Sequence, residues 1–192
     1  MRKTTKSYLI IFASILFFTA CKSNKTDSTE TTIEQNMDEI KSSTAEQGKA
    51  GKGKITLVCN GKTFEINGVC GAVTSMGSLT IAVPDDSIPA KAFTINFTNE
   101  NLPAATSSYK IVESVIDDKD ASHISIGFSD MRTAQPMTWG SDSKSGSLDF
   151  TVNGNEIKCS FSNLTLQPNS FFNKGELNNP ATVSGELTIY KN

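Results

Sequence analysis

The chain has 192 residues, of which 37% are hydrophobic and 20% charged, enough apolar material for a single core. Its 18 basic and 20 acidic side chains leave no basic footprint of the kind a nucleic-acid partner needs. One histidine and four cysteines without a Cys-x-x-Cys spacing exclude a structural zinc site.

Arg2, Lys3 and Lys6 open the chain, and Tyr8 to Ala20 follows as a nearly unbroken apolar run of 13 residues. A helix crossing a bilayer core needs about 20 residues. The short run, its charged start and the small residue at its end therefore predict a secretory signal over residues 1–20. Phe18-Thr19-Ala20-Cys21 resembles the lipobox of bacterial lipoproteins. That resemblance implies a diacylglycerol on the Cys21 thiol, cleavage before Cys21 and acylation of the new amine. Two or three acyl chains hold a protein stably on a membrane, whereas one does so only marginally. No later segment is apolar enough to span, so the expected membrane partnership runs through this lipid. Loss of residues 1–20 removes three basic residues and no acidic one, leaving 15 against 20 and a balance of −5.

Residues 22–54 are rich in Ser, Thr, Lys, Glu, Gly and Asn and contain no aromatic residue. Such a stretch cannot bury enough apolar area to offset its ordering entropy, so residues 21–54 are expected to form the lipidated cysteine and a flexible stalk. Ile33, Met37 and Ile40 recur at helical spacing within it, but a helix this short is marginal alone. Gly48, Gly51 and Gly53 are read as loosening the approach to the domain.

From Ile55 the texture changes to short alternating runs divided by Gly, Asn, Asp and Pro, the pattern of antiparallel strands. Ile55 to Cys59 meets Asn60-Gly61, a strong hairpin signal. Lys62 to Ile66 then meets Asn67-Gly68, read as a second turn. Strands are expected at Ser78 to Val83, Ala92 to Thr98, Tyr109 to Ile111, Ile124 to Phe128, Leu148 to Val152, Ile157 to Phe161 and Thr182 to Tyr190. The alternation slips near Ser184-Gly185, where a bulge is expected. Residues 55–192 thus read as an all-β domain of about eight to ten antiparallel strands, either a sandwich or a small closed barrel.

Three pieces of this domain carry a resemblance: Leu57 to Phe64, Leu102-Pro103 to Ile111, and the strands Gly146 to Val152 and Ile157 to Leu166. In these the chain is similar to small all-β lipoproteins of Bacteroidota whose domain has no assigned function. The resemblance implies no catalytic residues. Surface-exported lipoproteins of that phylum often have acidic residues just after the lipidated cysteine. Here Lys22-Ser23-Asn24-Lys25 precedes the first acid, Asp27, so the expectation is the periplasmic face of the outer membrane, with surface display as the alternative. Asp27-Ser28-Thr29 and Asp86-Ser87-Ile88 resemble the phylum's O-glycosylation motif, at Ser28 and Ser87, although Asp-Ser pairs also serve turns.

With Cys21 assigned to lipid, Cys59, Cys70 and Cys159 remain in an oxidising compartment, so at most one bridge forms among them. Cys59–Cys70 is the local pairing. Two tight Asn-Gly hairpins would point those residues to opposite faces, whereas a looser loop at 67–77 would allow the bond. Cys59–Cys159 is the second pairing, and Cys159 shares a face with Ile157 and Phe161, as a buried thiol would. His123 lies two strand positions from Ser125, over about 6 Å and too far for a nucleophile–base bond. It is read as a solvated surface residue. Asp117, Asp118 and Asp120 offer oxygens to a calcium ion but lack EF-hand spacing and read more simply as a charged turn.

No cofactor is expected, and no enzyme motif is visible. Trp139, Phe171 and Phe172 sit in polar loops, either lining a binding face or plugging the ends of the core. The first expectation is a non-enzymatic binding or structural domain that meets an envelope protein. The second is a barrel carrying a small apolar ligand past Trp139, Phe171 and Phe172, and the third is an envelope hydrolase.

Overall fold

A computed structural model describes residues 45–46, 48–75, 77–88, 90–132 and 136–192. The signal peptide, Cys21, Ser28 and most of the stalk lie outside these residues. Among the described residues eleven strands form one sheet: β1 (Ala45–Glu46), β2 (Lys49–Cys59), β3 (Lys62–Ser75), β4 (Ser78–Pro84), β5 (Lys91–Phe97), β6 (Ser107–Ile111), β7 (His123–Asp130), β8 (Met137–Gly140), β9 (Ser147–Asn153), β10 (Glu156–Pro168) and β11 (Ala181–Tyr190). The path β3-β2-β11-β10-β9-β6-β7-β5-β4 returns to β3, closing a nine-stranded barrel. The barrel, rather than the sandwich, is the form taken. Every pairing is antiparallel except β6 with β7, joined at Lys110–His123 and Ile111–Ile124. β8 bridges β7 and β10 at one end.

Alternation fills the interior as the sequence pattern requires. Ile55, Leu57, Ile66, Ile81, Phe93, Ile95, Phe97, Phe128, Phe150 and Ile189 all point inward and are buried. Phe97, Tyr109 and Phe150 meet edge to face or tilted at centroid distances of 5.2–5.6 Å, the geometry aromatic quadrupoles favour. Each such ring or branched side chain contributes about 1.5–3 kcal/mol on burial.

Four long strands wrap this core, and their neighbours approach closely where side chains are missing. β2 starts at Lys49, ahead of the expected boundary at Ile55, because Lys49 to Lys54 pair with β11. Gly51 and Gly53 do not loosen this segment. A Cβ at Gly51 would lie 1.8 Å from the Thr188 carbonyl oxygen, and one at Gly53 would lie 2.6 Å from Val83 Cγ2. Asn67-Gly68 is likewise no turn but the interior of β3, where a Cβ on Gly68 would lie 1.9 Å from the Pro84 oxygen. The expected bulge falls opposite Ser184, on β10. The register shifts between Phe161 and Leu164, with Asn163 at φ 56°.

The continuous β3 also decides the cysteines. Cys59 pairs with Lys62 at one end of the β2–β3 ladder and Cys70 pairs with Gly51 at the other. Eight strand positions separate them, on the order of 20 Å even along a bent strand, so the Cys59–Cys70 bridge is ruled out. Cys59, Cys70 and Cys159 are buried thiols. Burial pushes Cys70 up to about 12, and burial, with Asp149 and Cys70 nearby, does the same for Cys159.

Gly51→Ala is expected to cost about 2–3 kcal/mol of unfolding free energy, because overpacking meets backbone that cannot yield. Gly71→Ala, with nothing within 4 Å of its Cβ, should stay near wild type. Denaturant titration of the two variants checks this, and equal midpoints would contradict it. Cys70 and Cys159 are expected to resist iodoacetamide in the native chain and to react on unfolding. Carbamidomethylation of native Cys70 by mass spectrometry would refute that.

Candidate functional site

Beside the β2–β3 turn the outer edge of β3 has no strand neighbour among the described residues, and a groove runs along it. Asn60 (φ 48°) and Gly61 (φ 74°) form a two-residue turn, so Cys59 and Lys62 close the hairpin as a hydrogen-bonded pair. Alternation then aims the backbone N–H and C=O of Phe64, Ile66 and Gly68 at β2. Those of Thr63, Glu65 and Asn67 face the opposite edge. β4 occupies that edge only from Gly71 to Ser75.

At Asn67 the hairpin between β4 and β5 takes over. The Asn67 N–H donates to Asp85 Oδ2 (3.3 Å) and its carbonyl accepts from the Asp86 N–H (3.1 Å). Further along, the outward groups of Thr63 and Glu65 have no partner among the described residues. Thr63, Glu65, Asn67, Asp85, Ser87 and Lys91 line the resulting open groove of about 510 Å³.

Asp85 organises its far wall. Its Oδ1 accepts from the Ser87 hydroxyl (2.6 Å), the Ser87 N–H (3.0 Å) and the Ile88 N–H (2.8 Å), an Asx turn. Its Oδ2 lies 3.4 Å from Lys91 Nζ, with side-chain exposures of 7% and 10% for Asp85 and Lys91. Burial pushes the Asp85 carboxyl up, but the Ser87 hydroxyl, the two N–H donors and Lys91 outweigh it and hold it below the ordinary carboxylate range. Lys62 at the near end is paired with Glu176 at 2.9 Å. The groove thus offers hydrogen bonds and charge, with its two lysines already neutralised. Ser87 is exposed on the rim, its hydroxyl engaged by Asp85.

The other expected site residues do not converge here. Trp139 is only 1% exposed and plugs the barrel end, its Nε1 donating to the Asn179 carbonyl at 3.1 Å. It does not line a binding face. Phe171 is 78% exposed and meets Phe172, itself half-buried, edge to face at 4.9 Å. Their loop is held down by Asn173, which is 1% exposed, accepts from the Thr138 N–H (2.7 Å) and donates to the Leu177 carbonyl (2.9 Å).

His123 is clasped, not solvated. Nδ1 lies 2.7 Å from Asp118 Oδ2 and Nε2 lies 3.5 Å from Asp120 Oδ2. The Asp120 N–H and the His123 ring hold the Asp118 carboxyl low, and the Ser122 hydroxyl and N–H do the same for Asp120. Asp118 and Asp120, two of the three acids weighed as calcium ligands and read more simply as a charged turn, serve a turn that grips an imidazole, and Asp117 sits in that turn at φ 67°. With both ring nitrogens facing carboxylates, none is turned toward Ser125, whose hydroxyl lies 3.5 Å from Asn96 Nδ2.

The open edge and Lys91 were missed from sequence. The Asp86-Ser87 pair was read as able to serve a turn, but Asp85 was not singled out, and burial of a lysine at a strand start has no local signature. No family model, curated protein or solved structure matches this chain.

Because the Asp85 carboxyl sits below its usual value in the folded chain, the stability it supplies is complete above the unfolded value near about 3.9. It is lost as pH falls through the folded value. Asp85→Asn is expected to lower unfolding free energy at neutral pH by about 2–3 kcal/mol, since it strands Lys91 in a buried place. It should also flatten the loss of stability below about pH 4. Denaturant titrations across pH check both, and an unchanged acid slope would count against this role.

Proposed function

We propose that the chain is a bacterial envelope lipoprotein, held to the membrane by acyl chains on Cys21, that presents its β-barrel as a non-enzymatic binding module. The address follows from the charged start, the short apolar run and the lipobox-like Phe18 to Cys21. The order of charges after Cys21 favours the periplasmic face of the outer membrane. Among the described residues no helix is long and apolar enough to cross a membrane.

The observation that carries the binding half is the polar groove beside β3, on a barrel whose interior is taken up by its own side chains. A carrier needs an apolar chamber, and here Phe93, Phe97, Phe128, Phe150 and Trp139 fill the inside. Binding is therefore assigned to the outside, with another envelope protein as partner. The hydrolase reading would need an imidazole free to take a proton from a hydroxyl, and His123 faces Asp118 and Asp120 instead.

Wild-type chain is expected to take up labelled palmitate and to sediment with membranes. Cys21→Ser should take up none, and should either enter the soluble fraction or stay as the uncut precursor. A variant that matures and sediments like wild type would refute the anchor.

A further inference from the structure

We propose that the free edge of β3 at Thr63–Glu65 is a strand-docking site that takes a short, extended, basic segment of a partner protein. This rests on the binding-module reading and names its ligand.

Backbone chemistry comes first. Two N–H and two C=O groups, those of Thr63 and Glu65, project into the groove in strand geometry with no partner among the described residues. They form a ready template for one more strand. The same edge is in use farther along β3, by the Asp85–Asp86 backbone and carboxylate at Asn67 and by β4 at Gly71 to Ser75. An added strand would continue that row.

Shape selects a peptide over a second barrel. The edge is one wall of the groove and the Asp85–Lys91 hairpin is the other. The loop at Glu176 is clamped across the β2–β3 turn by Lys62 and by Asn60 Nδ2, which donates to the Glu176 carbonyl at 2.6 Å. A single chain fits between such walls, whereas another barrel edge would have to clear both.

Charge selects the peptide's sign. Lys62 is paired with Glu176 and Lys91 with Asp85. Glu65 and the neighbouring Asp86 are exposed and have no ion pair among the described residues. The rim is left negative and suits lysine or arginine on the outward positions of the added strand. The inward positions would meet Phe64, half-buried and 5.7 Å from Trp139 and 6.5 Å from Phe128 by ring centroids. The segment is therefore one that alternates basic with apolar residues.

The test uses the full-length lipidated chain in detergent, with two synthetic heptapeptides as probes, one alternating lysine with valine and the other glutamate with valine. Residue-resolved hydrogen exchange should find the Thr63 and Glu65 amides fast in the free chain and slowed by the lysine peptide, with little effect of the glutamate peptide. Thr63→Pro removes a donor the barrel ladder does not use and should weaken binding about fivefold. Glu65→Lys should reverse the preference between peptides.

Three results would overturn the proposal. One is unchanged exchange at about 1 mM lysine peptide, too weak to support recognition. Another is equal binding of both peptides. The third is protection of these amides in the free chain, which would mean that a second copy or the chain's own N-terminal segment already fills the edge. Failure here with Cys21-dependent sedimentation intact removes the ligand and leaves the anchored protein standing.

Discussion

Gly53 and Gly68 face each other across the β2–β3 ladder, and the end of β4 is pressed against both. Val83 lies where a Cβ of Gly53 would be, and the Pro84 oxygen where one of Gly68 would be. Only residues without a side chain allow this approach. Closure of the ring depends on it, because β3 changes neighbours here, from β2 alone to a pairing with β4. A methyl group at either position would lift β4 away from the strand it must meet.

The groove follows from the same crossing. β4 ends at Pro84, which has no N–H to extend the ladder. Asp85 and Asp86 finish the contact at Asn67 with a carboxylate and one backbone bond, after which the chain turns back toward Lys91. Strand β3 runs on toward Lys62 without a neighbour on that side. The open edge is thus what remains when a long strand crosses a shorter one. Its thermodynamic cost is small because Thr63 and Glu65 are exposed to water. A charged side chain there also discourages indiscriminate strand pairing.

Much of the fold was legible because it is local. The alternating runs marked nearly every strand, and Asn60-Gly61 marked its hairpin. The same dipeptide at Asn67-Gly68 was misread for a physical reason. Gly61 needs its positive φ and has nothing within 4 Å, whereas Gly68 needs the absence of a Cβ against a strand distant in sequence. Gly51 and Gly53 were misread in the same way, as looseness where they mark close contact. The false turn at Gly68 also put Cys59 and Cys70 on opposite faces. On the true strand they share the inner face and are parted by distance instead. Site residues were harder to place. Trp139 among polar neighbours looked exposed, but it lies on β8, and the connection between β10 and β11, distant in sequence, supplies the Asn179 carbonyl to its indole. The open edge could not be read at all, since a missing neighbour leaves no mark in a strand's own residues.

The position of this edge is set apart from the place where β1 joins β3. β1 pairs with Val73 and Thr74, near the end of β3 farthest from Thr63. About ten strand positions, on the order of 30 Å, lie between the two. The chain arriving from the N-terminus therefore joins β3 at one end and the free backbone groups lie at the other. A partner strand adding to β3 here would need only the outward groups of Thr63 and Glu65, since those of Asn67 are already bonded to Asp85 and Asp86.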